Sequence, residues 1–337
     1  MRAYIGSFTA AGGRGITTAA VAPDTGALTV LDATDAVDNP SFLALSPDGA
    51  VLYAVSETDR GAAAALRTAG ERPELLGAAV PVEGAGPTHL SVAGGHVLTA
   101  NYASGSVTAL PLAPDGSLTP APRVLQHRGS GPNQERQQGP HAHQVLPDPS
   151  GRWVLSVDLG TDSVRVCALE KGELAIRAET ALRPGSGPRH LAFHPDGRHA
   201  YVVNELAPTL TVCRWDAEAG ALEPLGETRL LENEATAHGS EVVVAPDGRF
   251  AWVATRGSDL ISVLALDGSG AGARLVTTVS CGGHWPRDLA LGPDGRHLYA
   301  ANEHSGDVTW FTLDAETGIP RHGGSVPVPA ASCVVFG

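Results

Sequence analysis

Residues capable of acid–base and anion-binding chemistry occur in short motifs along the chain. Histidines stand in PHAH at 140–143, an arginine and a histidine in PRH at 188–190, and a carboxylate in NE at 204–205. A further arginine, Arg256, follows the apolar segment AWVAT. A histidine or a carboxylate can transfer a proton, and a planar guanidinium group can bind a carboxylate or phosphate through two parallel hydrogen bonds. These residue types therefore indicate general acid–base chemistry together with binding of negative charge.

The same motifs occupy equivalent positions in a repeat that runs along the chain. Each copy has a turn residue, an apolar segment, a turn such as Pro-Asp-Gly, and a second apolar segment with a polar end. The first residues of the copies recur after 47, 53, 48, 51 and 47 positions, at Pro40, Pro87, Pro140, Pro188, Gly239 and Pro286. A β-propeller blade of four short strands needs about 40–50 residues, so this period indicates blades.

The two ends of the chain supply one more copy, divided between them. MRAYIGSF at the N-terminus matches a second strand, GITTAAV a third, and AASCVVFG at the C-terminus a first. The sequence therefore predicts an all-β fold, a seven-bladed β-propeller with four antiparallel strands per blade, whose ring is closed by a blade shared between the termini. We expect residues 1–337 to form one domain. The alanine-rich GAAAALRTAG at 61–70 is expected to be a strand, despite its helix-favouring composition.

One face of this ring should collect chemically varied side chains. Strand one starts and strand two ends on the same face, beside the central channel. Those places hold Ser7, Ser41, Glu57, His89, Asn101, Tyr102, His141, His143, Asp158, Arg189, His190, Asn204, Glu205, Ser240, Glu241, Arg256, Arg287, Asp288, Asn302 and Glu303. A purely structural repeat would tend to repeat its polar residues, whereas these differ from copy to copy. We therefore expect the functional site at this mouth.

The residues of the mouth admit more than one interpretation. Charged groups beside a narrow channel need partners, which favours a functional role for Arg189, Glu205 and Arg256. Contact with water would explain Glu57, Asp158, Asp288 and Glu303 equally well. A neighbouring strand could satisfy two of the histidines, His89 and His190. A longer polar loop, HRGSGPNQERQQGPHAHQV at 127–145, leads to His141 on the same face, and lengthened loops commonly carry binding function.

The charge of the chain limits its partners. Acidic residues outnumber basic ones by 36 to 23, a formal net charge of −13, so neither nucleic acid nor an anionic membrane is an expected partner. No apolar run approaches the roughly 18 residues of a membrane span. MRAYIGSFTA lacks the features of a signal peptide, and we expect a cytoplasmic protein. The cysteines show no metal-type pairing and are expected to be reduced and buried: Cys167, Cys213, Cys281 and Cys333.

Three segments, GSGPNQERQQGPHAH, GPRHLAFHPDGRHAYVVNE and ATRGSDLISV, are similar to motifs of the seven-bladed lactonase family. The resemblance extends over essentially the whole chain, from YIGSFT at Tyr4 to the closing strand. It implies hydrolysis of a sugar lactone, with 6-phosphogluconolactone as the first candidate, and no metal or other cofactor. The expected partner is a small anionic lactone, and the closed ring gives no reason to expect more than a monomer.

The resemblance also implies site residues. The active-site histidine of the family falls on His141, its arginines on Arg189 and Arg256, and its acid on Glu205. Glu205 would be the general base and His141 the general acid, or the reverse, while the arginines bind the oxyanion or an anionic substituent. Other polar residues of the mouth are candidates for substrate binding: Glu57, His89, Asn101, His143, His190, Asn204 and Arg287.

Three other functions remain open from the sequence. A muconate-type cyclising enzyme would use the same groups to add a carboxylate across a double bond. A calcium-dependent lactonase would need a set of oxygen ligands, for which the arginines are unfavourable neighbours and the candidates are Glu57, Asn101, Asp158 and Asn204. A propeller that only binds a protein would expose apolar anchors at its mouth, and this mouth is charged.

Overall fold

The computed structural model describes residues 1–232 and 237–337, and seven antiparallel sheets account for its architecture. The N-terminal strands are β1 (Arg2–Ser7), β2 (Ile16–Val21) and β3 (Leu28–Thr34). Blade 1 contains β4 (Leu43–Leu45), β5 (Val51–Ser56), β6 (Ala62–Arg67), β7 (Glu74–Leu75) and β8 (Val80–Pro81). Blade 2 contains β9 (Pro87–Ala93), β10 (His96–Asn101), β11 (Ser106–Pro111) and β12 (Arg123–Gln126).

The remaining blades have four strands each, whereas in blade 1 the short strand β8 also pairs with β6. Blade 3 contains β13 (Ala142–Pro147), β14 (Val154–Asp158), β15 (Ser163–Glu170) and β16 (Glu173–Ala181). Blade 4 contains β17 (Pro188–Phe193), β18 (His199–Asn204), β19 (Thr209–Asp216) and β20 (Ala221–Arg229). Blade 5 contains β21 (His238–Val244), β22 (Phe250–Arg256), β23 (Leu260–Leu266) and β24 (Ala273–Ser280). Blade 6 contains β25 (Pro286–Leu291), β26 (His297–Asn302), β27 (Asp307–Leu313) and β28 (Pro320–Pro327), and the last strand is β29 (Ala331–Phe336).

The ring closes through the chain termini, which confirms the predicted seven-bladed propeller. β29 pairs with β1 in antiparallel register, with Val334 opposite Ile5 and Val335 opposite Tyr4. The terminal sheet, blade 7, therefore has the order β29-β1-β2-β3, and the C-terminus supplies its innermost strand. The first strands of successive blades contact one another in a circle, and β29 contacts both β25 and β4. Residues at the starts of these strands are thereby brought together.

The Pro-Asp-Gly turns return each chain segment to the mouth. In the turn at 47–49, the glycine has a φ of 70°, in the left-handed region that glycine adopts without strain. Asp48 accepts a hydrogen bond of 3.1 Å from the backbone N–H of Ala50, which fixes the turn. The turns at 195–197, 246–248 and 293–295 repeat both features. Strand two consequently ends on the face where strand one began.

Apolar clusters hold neighbouring blades together. Between blades 7 and 1, Leu52 of β5 packs in one cluster with Tyr4 of β1 and Leu43 of β4. Leu52 is fully buried, and burial of such a side chain contributes about 1.5–3 kcal/mol. Similar clusters, built mostly from Val, Leu and Ala, follow one another around the ring. The rigid ring gives the mouth fixed walls.

Several local predictions are also confirmed. The alanine-rich segment forms strand β6, because its place in the repeat outweighs its helix propensity. The cysteines are free and buried. Among the described residues the helical elements are two single turns of 3₁₀ helix, Thr9–Ala11 and Leu159–Thr161. None of the helical elements in this part of the chain is long and apolar enough to cross a membrane.

Candidate active site

The mouth contains a carboxylate surrounded by arginines. Glu205 follows strand β18 and is only 4% exposed. Its Oε2 lies 2.7 Å from Arg256 Nη2 and 3.5 Å from Arg189 Nε, and its Oε1 lies 2.7 Å from Arg136 Nη2. Blade 4, blade 5 and the long loop each supply one of these arginines. We call Arg136, Arg189, Arg256 and Glu205 the arginine cluster.

The arginines determine the charge state of this carboxylate. Burial alone would raise the pKa of Glu205, but Arg256, Arg189 and Arg136 outweigh burial and hold the pKa at about 2. Burial, with the like charges of Arg256 and Arg287, lowers the pKa of Arg189 to about 9. Near neutral pH the cluster therefore holds three cations and one anion, a formal charge of +2.

Protein atoms accept hydrogen bonds from only some of the N–H groups of Arg189 and Arg256. Arg189 donates an Nη1 hydrogen bond to the Ser240 carbonyl oxygen, and Arg256 donates one of 3.3 Å to the Gly239 carbonyl oxygen. The Nε atoms of both arginines are buried without a hydrogen-bond partner among the described residues. A buried donor left unsatisfied costs about 1–3 kcal/mol. The excess positive charge of the cluster favours binding of an anion.

His141 lies near the arginine cluster, and one of its ring nitrogens is already hydrogen-bonded to the protein. Its Nδ1 is 2.9 Å from the Tyr102 carbonyl oxygen, and its ring stacks on the Tyr102 ring with centroids 4.5 Å apart. The Tyr102 hydroxyl in turn accepts a hydrogen bond of 3.1 Å from Arg136. A carbonyl oxygen can only accept, so Nδ1 carries the hydrogen and a neutral imidazole has its free lone pair on Nε2. That nitrogen is available as a proton acceptor.

Asp158 fixes the backbone that carries His141. Its Oδ1 accepts hydrogen bonds from the backbone N–H groups of His141 at 2.8 Å and Gly160 at 3.0 Å. Its Oδ2 lies 2.7 Å from His127 Nδ1 and 3.0 Å from Arg165 Nη1. A side chain at Gly160 would collide with the backbone just before His141. The close approach of two backbone segments, which glycine permits, therefore sets the position of the histidine.

Arg136 is held in the mouth because the next residue of the long loop, Gln137, is buried and hydrogen-bonded. Gln137 is fully buried and donates Nε2 hydrogen bonds to the Leu159 carbonyl oxygen at 2.8 Å and Asp162 Oδ1 at 2.7 Å. Its Oε1 accepts a hydrogen bond of 3.0 Å from the Asn133 N–H. This anchoring leaves Arg136 partly exposed, with 38% of its side chain accessible.

A second ionic group faces the mouth from blades 1 and 6. Arg287 Nη1 lies 3.3 Å from Glu303 Oε2, and its Nη2 lies 3.8 Å from Glu57 Oε1. Ser41 donates a 2.5 Å hydrogen bond to Glu57 Oε2. The Arg287 guanidinium carbon is 4.9 Å from the centroid of the Phe8 ring. Glu57 and Arg287 are thus predicted site residues that contact each other outside the arginine cluster.

Three predicted histidines form a buried row with two carboxyl groups. His190 Nε2 lies 3.1 Å from His143 Nδ1, and its Nδ1 lies 2.5 Å from Glu241 Oε2. His89 packs edge-on against His190, with ring centroids 5.4 Å apart. Glu241 and Asp288 are hydrogen-bonded to each other. All five residues are nearly inaccessible, as are Arg189 and Arg256.

Burial shifts the protonation of this row toward neutral forms. Burial raises the pKa of Glu241 to about 7, and burial with the proximity of Glu241 raises the pKa of Asp288 well above its usual range. Burial, assisted by neighbouring cations, lowers the pKa values of His89, His143 and His190. A hydrogen bond between two carboxyl groups requires a proton on one of them.

Replacing Glu241 by glutamine should change how stability depends on pH. A carboxyl group whose pKa is higher in the folded protein stabilises the fold below its ordinary value of 4.5, and this contribution is lost as pH rises through about 7. Because glutamine does not titrate, the melting temperature of Glu241→Gln relative to wild type should rise by at least about 2 °C between pH 4.5 and pH 8. Thermal melts across this range check the difference. The exposed Glu223→Gln should show none, and a flat or falling curve for Glu241→Gln would contradict this account.

Two predicted substrate-binding residues do not reach the mouth. Asn101 is fully buried and donates Nδ2 hydrogen bonds to Ser106 Oγ and Thr108 Oγ1 within blade 2. Asn204 likewise donates to Thr209 Oγ1 and Thr211 Oγ1 within blade 4. Both side chains instead fasten strand two to strand three within their blades.

Two residues of the mouth were not among the predicted catalytic or substrate-binding residues. Arg136 contacts Glu205, and Tyr102 contacts both Arg136 and His141. The unusual length of the loop that contains Arg136 was a signal, but length does not specify which side chain enters the site. Tyr102 was visible as the residue that follows strand two of blade 2.

The oxygen ligands considered for a calcium site are engaged elsewhere. Asn101 and Asn204 bond within their blades, Asp158 supports His141 and Arg165, and Glu57 binds Ser41. In the described part of the chain, no group of three or more His, Cys, Asp or Glu residues is arranged to hold a metal ion. The arrangement that the structure does provide is a carboxylate, three guanidinium groups and an imidazole.

Comparisons with known proteins agree with this architecture. The 6-phosphogluconolactonase of Bacillus subtilis is 34% identical to the chain, over 99% of this chain and 97% of its own. The 6-phosphogluconolactonase of Formosa agariphila is 28% identical, over 94% and 93% respectively. The structure of the periplasmic gluconolactonase of Pseudomonas aeruginosa matches with a TM-score of 0.92 at 30% identity, covering 99% of this chain and 98% of that chain. The profile of the family described as "Lactonase, 7-bladed beta-propeller" matches residues 2–336. The chain therefore belongs to the seven-bladed β-propeller lactonase family.

Proposed function

We propose that the protein hydrolyses the lactone of an anionic sugar, with 6-phosphogluconolactone as the first candidate, by general acid–base catalysis that uses no metal ion. The observation that carries this proposal is the juxtaposition of the arginine cluster and His141. The cluster supplies a formal charge of +2, and the imidazole has Nε2 free. The relatives that carry lactonase names support the same class of reaction.

In the proposed reaction, His141 Nε2 takes a proton from water while the water oxygen forms a bond to the lactone carbonyl carbon. Arg189 and Arg256 stabilise the negative charge that develops on the carbonyl oxygen. The bond from the carbonyl carbon to the ring oxygen then breaks. The ring oxygen takes the proton from His141 Nε2, which yields the open hydroxy acid and restores the neutral imidazole.

Glu205 has a positioning role in this scheme. A carboxylate with a pKa of about 2 is a weak base near neutral pH, and both of its oxygens already contact arginines. The sequence allowed Glu205 and His141 to exchange their roles as base and acid. The contacts favour the second assignment, in which His141 is the base. Glu205 is then the anion that holds the guanidinium groups in place.

The cluster's charge supports a substrate that carries a phosphate or another anionic group. The whole chain has a formal charge of −13, which repels anions at long range, whereas the arginine cluster attracts them at contact distance. The named relatives include both a 6-phosphogluconolactonase and a gluconolactonase, so their names alone do not choose between substrates with and without phosphate. None of these relatives is named as a cyclising enzyme.

Arg136 should distinguish phosphorylated from neutral lactones. It is the most exposed arginine of the cluster, and it belongs to a loop. For Arg136→Met, kcat/KM for 6-phosphogluconolactone should fall by about 10-fold or more, while kcat/KM for glucono-1,5-lactone changes by less than about 3-fold. Steady-state kinetics on both substrates check this, with the exposed Arg177→Met as control. Equal losses on both lactones would contradict a phosphate-binding role.

The proposed function is tested by lactone hydrolysis with purified protein in the presence of EDTA. Hydrolysis of 6-phosphogluconolactone well above the spontaneous rate is expected, and a faster reaction with a neutral lactone would overturn the assignment of an anionic substrate. The cytoplasmic location and monomeric state expected from the sequence stay predictions.

A further inference from the structure

Trp285 occupies a backbone position where a large side chain is unfavourable. It directly precedes the first strand of blade 6 and has a φ of 64°. The corresponding residues of other blades also have positive φ and are small: Asn39, Gly86, Gly187 and Ala330. The left-handed conformation suits glycine or asparagine and is strained for a bulky residue. The fold requires this conformation before strand one, but it does not require an indole there.

The loop around Trp285 holds this conformation firmly. Asp259 Oδ1 accepts a hydrogen bond of 2.8 Å from the Trp285 N–H, and the Glu303 N–H donates one of 3.1 Å to the Trp285 carbonyl oxygen. The ring of His304 stacks on the indole, with centroids 4.7 Å apart and planes inclined by 12°. Strain that the surroundings maintain in this way is characteristic of functional sites.

The indole borders the arginine cluster. The guanidinium carbon of Arg256 is 5.6 Å from the centroid of the Trp285 ring, and Arg256 contacts Glu205 directly. His304 stacks on the indole, and the rings of His238 and His284 approach it less closely, with centroids 6.2 Å and 6.5 Å away. The residue is partly exposed, in contrast to Trp215 and Trp252, which are buried and donate their indole N–H groups to protein oxygens.

We propose that Trp285 packs against the apolar C–H face of the substrate's sugar ring, beside Arg256. This inference deepens the proposed function and depends on it. A sugar lactone has a polar edge of oxygens and an apolar face of C–H groups. The arginine cluster matches the oxygens, and an aromatic ring with its negative face matches the C–H groups. Of the other aromatic rings of the mouth, Tyr102 stacks on His141, and Phe8 lies against Arg287 much as Trp285 lies against Arg256.

Two substitutions separate this role from a structural one. Trp285→Gly removes the indole and relieves the backbone strain, and blades 2 and 4 carry glycine at the same place, so the variant should fold. Its KM for 6-phosphogluconolactone should rise by about 10-fold while kcat changes by less than about 3-fold. Trp285→Phe should restore most of the affinity. An unchanged KM in Trp285→Gly would overturn the proposal, and so would a large loss of kcat at unchanged KM, which would indicate that Trp285 only positions Arg256.

Fluorescence provides a readout that does not require turnover. Binding of the product, 6-phosphogluconate, should change the tryptophan emission of wild type and of Trp153→Phe, a variant at a distant blade, but not that of Trp285→Phe. An equal change in Trp285→Phe would contradict contact between the indole and the ligand. If wild type neither hydrolyses the lactone nor binds the product, the proposed function fails and this inference fails with it. Hydrolysis by wild type with a wild-type KM in Trp285→Gly would overturn this inference alone.

Discussion

Replacing His141 by asparagine should lower kcat for lactone hydrolysis by about 10³-fold, because the substitution removes the general base. Asparagine can still donate a hydrogen bond toward the Tyr102 carbonyl oxygen, as Nδ1 does, but it has no counterpart of the free Nε2. The backbone position should persist, since Asp158 holds it through the His141 N–H at 2.8 Å. Activity that depends on an imidazole base falls on acidification, so His141→Asn should also lose the acidic limb of the pH–rate profile.

A matched control for this variant is His322→Asn on the outer strand β28, where the side chain is exposed. It should retain wild-type kcat and the wild-type pH profile. If His141→Asn kept kcat within about 10-fold of wild type, or kept the acidic limb, the imidazole would not be the base.

Glu205→Gln should lower kcat/KM by about 10²-fold or more, for a different reason. A neutral amide no longer offers charge to Arg256, Arg189 and Arg136, so the guanidinium groups repel one another and lose the alignment that the oxyanion needs. Breaking a buried ion pair also typically costs about 3–5 kcal/mol of stability. The melting temperature should therefore fall, and inorganic phosphate should recover part of it by binding the unpaired cations.

The pH profile distinguishes a positioning role from a basic one. Glu205→Gln should retain the acidic limb that His141→Asn loses, since the base is still present. Loss of that limb in Glu205→Gln, with its persistence in His141→Asn, would return the role of base to Glu205. Glu205→Asp, which keeps the charge but shortens the side chain, should fall between glutamine and wild type in kcat/KM.

The propeller could be predicted because its period is long and its turns are chemically distinctive. The termini were assigned to one blade because each supplied strands that the other lacked, and β29 does pair with β1. The arginine, carboxylate and histidine of the mouth could also be found, since strand topology alone places them on one face. Arg189, Glu205 and Arg256 meet there as a connected cluster.

The orientation of individual side chains was harder to predict than the face. Successive residues of a strand point to opposite sides, so a shift of one position separates a mouth residue from a structural one. Asn204 points into its blade, while the next residue, Glu205, points into the mouth. In blade 2, Asn101 likewise points into the blade and Tyr102 into the mouth. A signal existed, because asparagine with hydroxyl groups five and seven residues later recurs in blades 2 and 4. Repetition of a polar residue between blades marks a structural role.

The contribution of the loop could not be predicted from spacing. Arg136 reaches Glu205 because Gln137 is anchored to Leu159 and Asp162, which lie 22 and 25 positions further along the chain. Four polar residues in succession, QERQ at 134–137, gave no indication of which would be buried. Such contacts depend on the three-dimensional path of the loop.

The most direct test of the account is the rate of 6-phosphogluconolactone hydrolysis by purified protein in EDTA, measured beside His141→Asn. We expect hydrolysis far above the spontaneous rate for wild type and a loss of about 10³-fold in kcat for the variant. Hydrolysis that EDTA abolishes, or that His141→Asn retains, would contradict acid–base catalysis by the mouth residues. A wild-type rate no higher than the spontaneous one would contradict the proposed activity itself.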